Sequence, residues 1–165
     1  MIRHLSSRFR TFAVLVLAVL AVGAAVPAAA TTTPVVPELT NIRVGAHDTF
    51  DRVVLDLNGS RPEFFIRCVD QLYYDGSGLP VSMPGSTFLE VRSFPAAAHD
   101  EWGNPTYTGP RQFTTPSLSN VQAVAITGDY EGNLTIGLGM RQETWHRVFL
   151  LSSPTRLVID VGAAH

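Results

Sequence analysis

Lysine is absent from this 165-residue chain, and cysteine occurs once, at Cys68. A single cysteine excludes an intramolecular disulfide, so any fold must be held together by an apolar core. Cys68 lies in the strand-like run Phe64-Phe65-Ile66-Arg67-Cys68-Val69 and is expected to be a small buried side chain. Catalytic spacings are also missing. There is no Gly-x-Ser-x-Gly elbow and no His-Glu-x-x-His pair. The serines of Gly76-Ser77-Gly78 and Pro84-Gly85-Ser86 stand among turn residues, and His47, His99, His146 and His165 are scattered. No catalytic residue, metal or cofactor is expected on these grounds.

The one long apolar run is at the N-terminus. Arg3, Arg8 and Arg10 precede Phe12–Val26, which carries no charge, and Ala28-Ala29-Ala30 then supplies a small-x-small cleavage pattern. That order predicts a secretory signal over residues 1–30, cut between Ala30 and Thr31. The run is shorter than the roughly 20 residues of a membrane-spanning helix, so membrane contact is expected only in transit. Thr31–Pro37 is Thr, Pro and Val, and a flexible linker is expected over residues 31–38. Without the signal, nine arginines face fourteen acidic residues, a net charge of 9 − 14 = −5. An acidic chain of this kind is a poor partner for nucleic acid or anionic lipid.

From Leu39 onward, short apolar runs alternate with turn residues and no helical period appears. Leu39–Val44, Arg52–Leu57, Glu63–Val69, Phe88–Arg92, Val121–Thr127, Leu134–Met140, Trp145–Leu151 and Leu157–Val161 read as strands. These predict an all-β fold, a single antiparallel β-sandwich of about eight strands over residues 39–162. Tyr74–Ser86 and Phe94–Ser117 are rich in Pro and Gly and break the pattern. Segments of that length often frame a ligand-binding face.

Two strands echo one another: Arg52-Val53-Val54-Leu55-Asp56-Leu57 and Arg156-Leu157-Val158-Ile159-Asp160-Val161. With side chains alternating, each places Arg, Val and Asp on one face. Antiparallel pairing would set Arg52 against Asp160 and Asp56 against Arg156, whereas parallel pairing would oppose like charges. Antiparallel neighbours with two ion pairs are therefore expected.

Candidate binding residues fall in three groups. His47, Asp48 and Asp51 form a weak acidic cluster that could hold a metal or act as an acid/base pair. Asp129 and Glu131 flank a hairpin-like turn, Asp129-Tyr130-Glu131-Gly132-Asn133. Tyr74, Trp102 and Tyr107 lie in the irregular segments, where rings can stack on sugar faces. Trp145, inside an alternating run, is expected in the core.

In chain order, Gly45-Ala46-His47-Asp48-Thr49-Phe50-Asp51-Arg52-Val53-Val54, Asp75-Gly76-Ser77-Gly78, Gly128-Asp129-Tyr130-Glu131-Gly132, Arg147-Val148-Phe149 and Ser153-Pro154-Thr155-Arg156-Leu157-Val158-Ile159-Asp160 resemble the AMIN-like domain family of exported actinobacterial proteins. The resemblance spans about Leu39 to Val161 and departs at Trp145-His146, where Pro-Phe is usual. It implies a β-sandwich related to AMIN domains, non-catalytic modules that localise envelope proteins, in some cases through peptidoglycan. An extracytoplasmic binding module for cell-wall glycan or an envelope protein is the implied role. Two alternatives stand beside it: a small metal-dependent or hydrolytic enzyme using His47, Asp48 and Asp51, and a structural partner pairing through a sheet edge.

Overall fold

The computed structural model describes residues 36–165. The expected signal, residues 1–30, and linker residues 31–35 lie outside the described residues. Nine strands run β1 (Glu38–Ala46), β2 (Phe50–Asn58), β3 (Glu63–Val69), β4 (Thr87–Phe94), β5 (Gln112–Thr114), β6 (Val121–Tyr130), β7 (Asn133–Met140), β8 (His146–Leu151) and β9 (Thr155–Gly162). They form two antiparallel sheets, one of four strands ordered β1-β2-β9-β8 and one of five ordered β3-β4-β7-β6-β5. The architecture is all-β, as the alternating runs predict, and no helix occurs among the described residues.

Period-2 alternation explains how the sheets close on one another. Val53, Leu55 and Leu57 of β2 and Leu157, Ile159 and Val161 of β9 point inward from the four-stranded sheet. They meet Leu89 and Val91 of β4, Val124 and Ile126 of β6, and Leu134, Ile136 and Leu138 of β7. Each fully buried Leu or Ile contributes about 1.5–3 kcal/mol of transfer free energy, which is how a core replaces the missing disulfides. Glu131 and Gly132, both at positive φ, make the two-residue turn between β6 and β7, where Tyr130 faces Asn133.

The expected linker ends earlier than its composition suggests. Pro37 is buried and its carbonyl accepts the Ala97 N–H at 3.0 Å, while β1 already begins at Glu38. Cys68 is exposed rather than buried, because it lies near the end of β3, an edge strand with a neighbour on one side only. Partial desolvation of the thiol and the nearby Glu143 carboxyl raise its pKa, which lowers thiolate reactivity.

Both irregular segments are built into the sandwich. Tyr74–Ser86, with Leu72 ahead of it, lies across the outer face of the five-stranded sheet, where Leu72, Val81, Phe88 and Ala125 form a second apolar cluster. Strand β7 makes room for it with Gly137 and Gly139, since a Cβ there would strike the Leu72 side chain or the Pro84 carbonyl. Asp75 is tied down by the Thr135 hydroxyl at 2.6 Å and donates its own N–H to the Thr127 carbonyl. Phe94–Ser117 buries Ala96, Ala97, Ala98 and Tyr107 and contains β5, the one strand that the sequence pattern did not single out. Three residues are too few to display a period.

Candidate functional site

The echoing strands β2 and β9 are antiparallel neighbours, with Arg52 opposite Asp160 and Asp56 opposite Arg156. Their shared outer face is a grid. Across its three central rows lie Gly45, Arg52, Asp160 and Arg147; then Arg43, Val54, Val158 and Phe149; then Asn41, Asp56, Arg156 and Leu151. Four arginines against two aspartates leave 4 − 2 = +2 on the central face of a domain whose total is negative.

Asp160 anchors this face. Its side chain is fully buried, with Oδ1 accepting from Arg52 Nε at 2.6 Å and Oδ2 from Arg52 Nη2 at 2.9 Å and Arg147 Nη2 at 2.6 Å. Burial pushes the carboxyl pKa up, but the bonds and charges of Arg52 and Arg147 outweigh it and hold it below the usual carboxylate range. The second expected pair forms differently. Asp56 is gripped in bidentate fashion by Arg43, at 2.8 and 2.6 Å, which lowers its pKa; Arg156 adds only a through-space pull and turns its Nε to the Pro154 carbonyl. The reason is diagonal reach: Arg43 of the edge strand can approach Asp56 end-on.

Aromatic rings border the arginines. Arg52 lies over the rings of Phe50 and Phe149 at 5.1 and 5.9 Å, and Arg147 over Phe149 at 4.9 Å. The exposed His47 imidazole stacks on Phe50 with centroids 4.3 Å apart, and Trp145 tilts against the same ring at 6.1 Å. Trp145 is 53% exposed rather than in the core, because it precedes β8 and rests over Gly162, which offers no Cβ to displace it. His47, Phe50, Arg52, Arg147, Phe149 and Trp145 thus make one outward platform of rings and positively charged guanidinium groups. Phe50, Arg147 and Phe149 escaped notice as site residues in the sequence. The available signal was an aromatic on the polar phase of each alternating strand.

The other sequence candidates are placed apart from one another. Asp51 is fully buried and both its oxygens are used: Oδ1 accepts the Ser119 N–H at 3.1 Å, and Oδ2 accepts those of Asn120 and Val121 at 2.6 and 2.9 Å. It clasps the turn leading into β6, while His47 and Asp48 stand outside in solvent. Among the described residues, no group of three or more His, Cys, Asp or Glu side chains is arranged to hold a metal ion. Asp129 secures the other irregular segment, accepting from the Ala98 N–H at 2.9 Å and lying 3.0 Å from His99 Nδ1. Glu131 serves the hairpin turn. Tyr107 is a core residue whose hydroxyl donates to the Pro110 carbonyl at 3.3 Å. Tyr74 is partly exposed with its hydroxyl 3.5 Å from Gln112, and Trp102 is the most exposed large apolar side chain among the described residues.

A concavity of about 520 Å³ lies on the opposite sheet, lined by Glu63, Phe65, Ile66, Arg67, Glu90, Arg92, Phe94 and Asn133. Arg67 there spends Nε and Nη2 on Glu90, at 2.8 and 3.1 Å.

No curated protein and no solved structure matches the chain. A family model does, that of the AMIN-like domain, over residues 37–163, which takes in all nine strands. This chain belongs to the AMIN-like domain family.

Proposed function

We propose that this protein is an exported, non-catalytic module that binds a cell-envelope glycan bearing carboxylates, peptidoglycan above all, on the outer face of its four-stranded sheet. The observation that carries the reading is the platform of His47, Phe50, Arg52, Arg147, Phe149 and Trp145. Flat rings suit the apolar faces of sugars, and guanidinium groups suit carboxylates, which they can bind in bidentate geometry. Membership of the AMIN-like family and the secretory pattern of residues 1–30 support the extracytoplasmic setting. The non-catalytic part of the reading is supported by the commitment of both Asp51 oxygens to backbone N–H groups, which removes that carboxyl from the His47, Asp48 and Asp51 cluster.

Retention of the purified protein on isolated cell walls tests the reading. Binding above an inert control is expected, with Trp145→Ala and Arg147→Ala each weakening it about tenfold, the equivalent of about 1.4 kcal/mol. No retention, or retention indifferent to both substitutions, would overturn it. Fractionation of the host into medium, wall and membrane checks the compartment separately.

A further inference from the structure

Edge strands expose backbone donors and acceptors to any strand that can pair with them, and proteins defend them by shortness, bulges, charge or cover. Among the described edges, β5 has three residues. Strand β1 is broken by a bulge between Leu39 and Asn41, and its Leu39 N–H is taken by the Ala97 carbonyl. Strand β8 has six residues and no complementary pair of charges. Strand β3 is different. Its seven residues pair with β4 in unbroken register, it contains no Pro or Gly, and it presents Phe65 at 64% and Ile66 at 36% exposure.

We infer that β3 is a homodimer interface, pairing antiparallel with β3 of a second copy about a two-fold axis at Phe65. The sequence Glu63-Phe64-Phe65-Ile66-Arg67 is charge-complementary to itself in that register alone. Centring on Phe65 sets Glu63 against the partner's Arg67 at both ends and the two Phe65 rings between them, all on the outer face. Centring on Ile66 would waste Glu63 on Val69, and centring on Arg67 would oppose two guanidinium groups. Centring on Phe64 would oppose Arg61 and Arg67.

The charges needed are free to act. Glu63 makes no ion pair among the described residues, and Arg67 keeps Nη1 beyond its two bonds to Glu90. The apolar wall of the neighbouring concavity, Phe65 and Phe94, would lose solvent contact on pairing. Because the axis is perpendicular to the sheet, the two four-stranded sheets fall on the same side, and their ring-and-arginine platforms face the same way. A polymeric ligand could then be held at two points. The dimer does not depend on that ligand, since it uses the other sheet.

Sedimentation of the purified protein tests the interface. A concentration-dependent dimer is expected, lost in Glu63→Arg and in Phe65→Arg, both at exposed positions, and kept in Arg147→Ala on the opposite sheet. Register is tested by Phe65→Cys in a Cys68→Ser background. Directly opposed residues lie about 4.5–5.5 Å apart between Cα atoms, within disulfide range, so air oxidation should yield a covalent dimer, whereas Ile66→Cys should not. A protein that stays monomeric up to about 1 mM, or a dimer unmoved by both arginine substitutions, would overturn the interface. Cross-linking through Ile66→Cys instead of Phe65→Cys would overturn the register.

Discussion

Two fully buried aspartates, Asp51 and Asp160, do different physical work. Asp51 caps three backbone N–H groups inside the sandwich, and its replacement by Ala would leave buried donors unpaired. We expect Asp51→Ala to cost about 3 kcal/mol or more, read as a lowered urea midpoint at unchanged slope. Asp160 instead couples the fold to pH. Its folded pKa is depressed, so the stability it supplies is present above the unfolded value of about 3.9 and is lost as pH falls through the folded one. Urea midpoints measured down from neutrality should fall in that acid range, and Asp160→Asn should flatten the fall. In the sequence Asp160 is simply an Asp on an alternating strand, and Asp51 belongs to the spacing His47-Asp48-x-x-Asp51, which suggests a ligand set. Both are fully buried, and their partners separate them, backbone N–H groups for Asp51 and two guanidinium groups for Asp160, which depends on the segments that the fold brings together.

At the scale of elements, eight of the nine strands were legible because each is long enough to show two or three turns of the pleat. The irregular segments were legible as breaks but not as cover. Docking of the first, Tyr74–Ser86, depends on Gly137 and Gly139, which in the strand Leu134–Met140 look like weaknesses. Gly139→Val should therefore lift Pro84 off the sheet, costing about 1–3 kcal/mol. Limited proteolysis is expected to cleave the variant within residues 74–86 sooner than the parent protein.

For the whole molecule, charge is distributed against its total. The described residues carry nine arginines and fourteen acidic side chains, yet the central outer face of the four-stranded sheet is net positive. A platform of this sort binds anionic material with a salt-dependent strength, because exposed charges are screened within a Debye length of about 10 Å at 0.1 M salt. Raising salt from 0.05 to 0.5 M should weaken retention of the protein on cell walls severalfold, while the aromatic contribution of Trp145 persists. Full retention at high salt that survives Trp145→Ala would count against the platform.

By itself the sequence determined the class of fold, the inward phase of each long strand, the family and the antiparallel register of β2 with β9. Alternation and opposed charge are local or pairwise properties and can be read along a line. Only the tertiary structure decided that Arg43 takes Asp56 from Arg156, that Tyr107 goes inside and Trp145 stays out, and that His47, Phe50, Arg147 and Phe149 share one face. These outcomes follow from which strands lie side by side and which layer covers them, and strand order in a sandwich joins residues about 100 positions apart, as at Arg52 and Asp160.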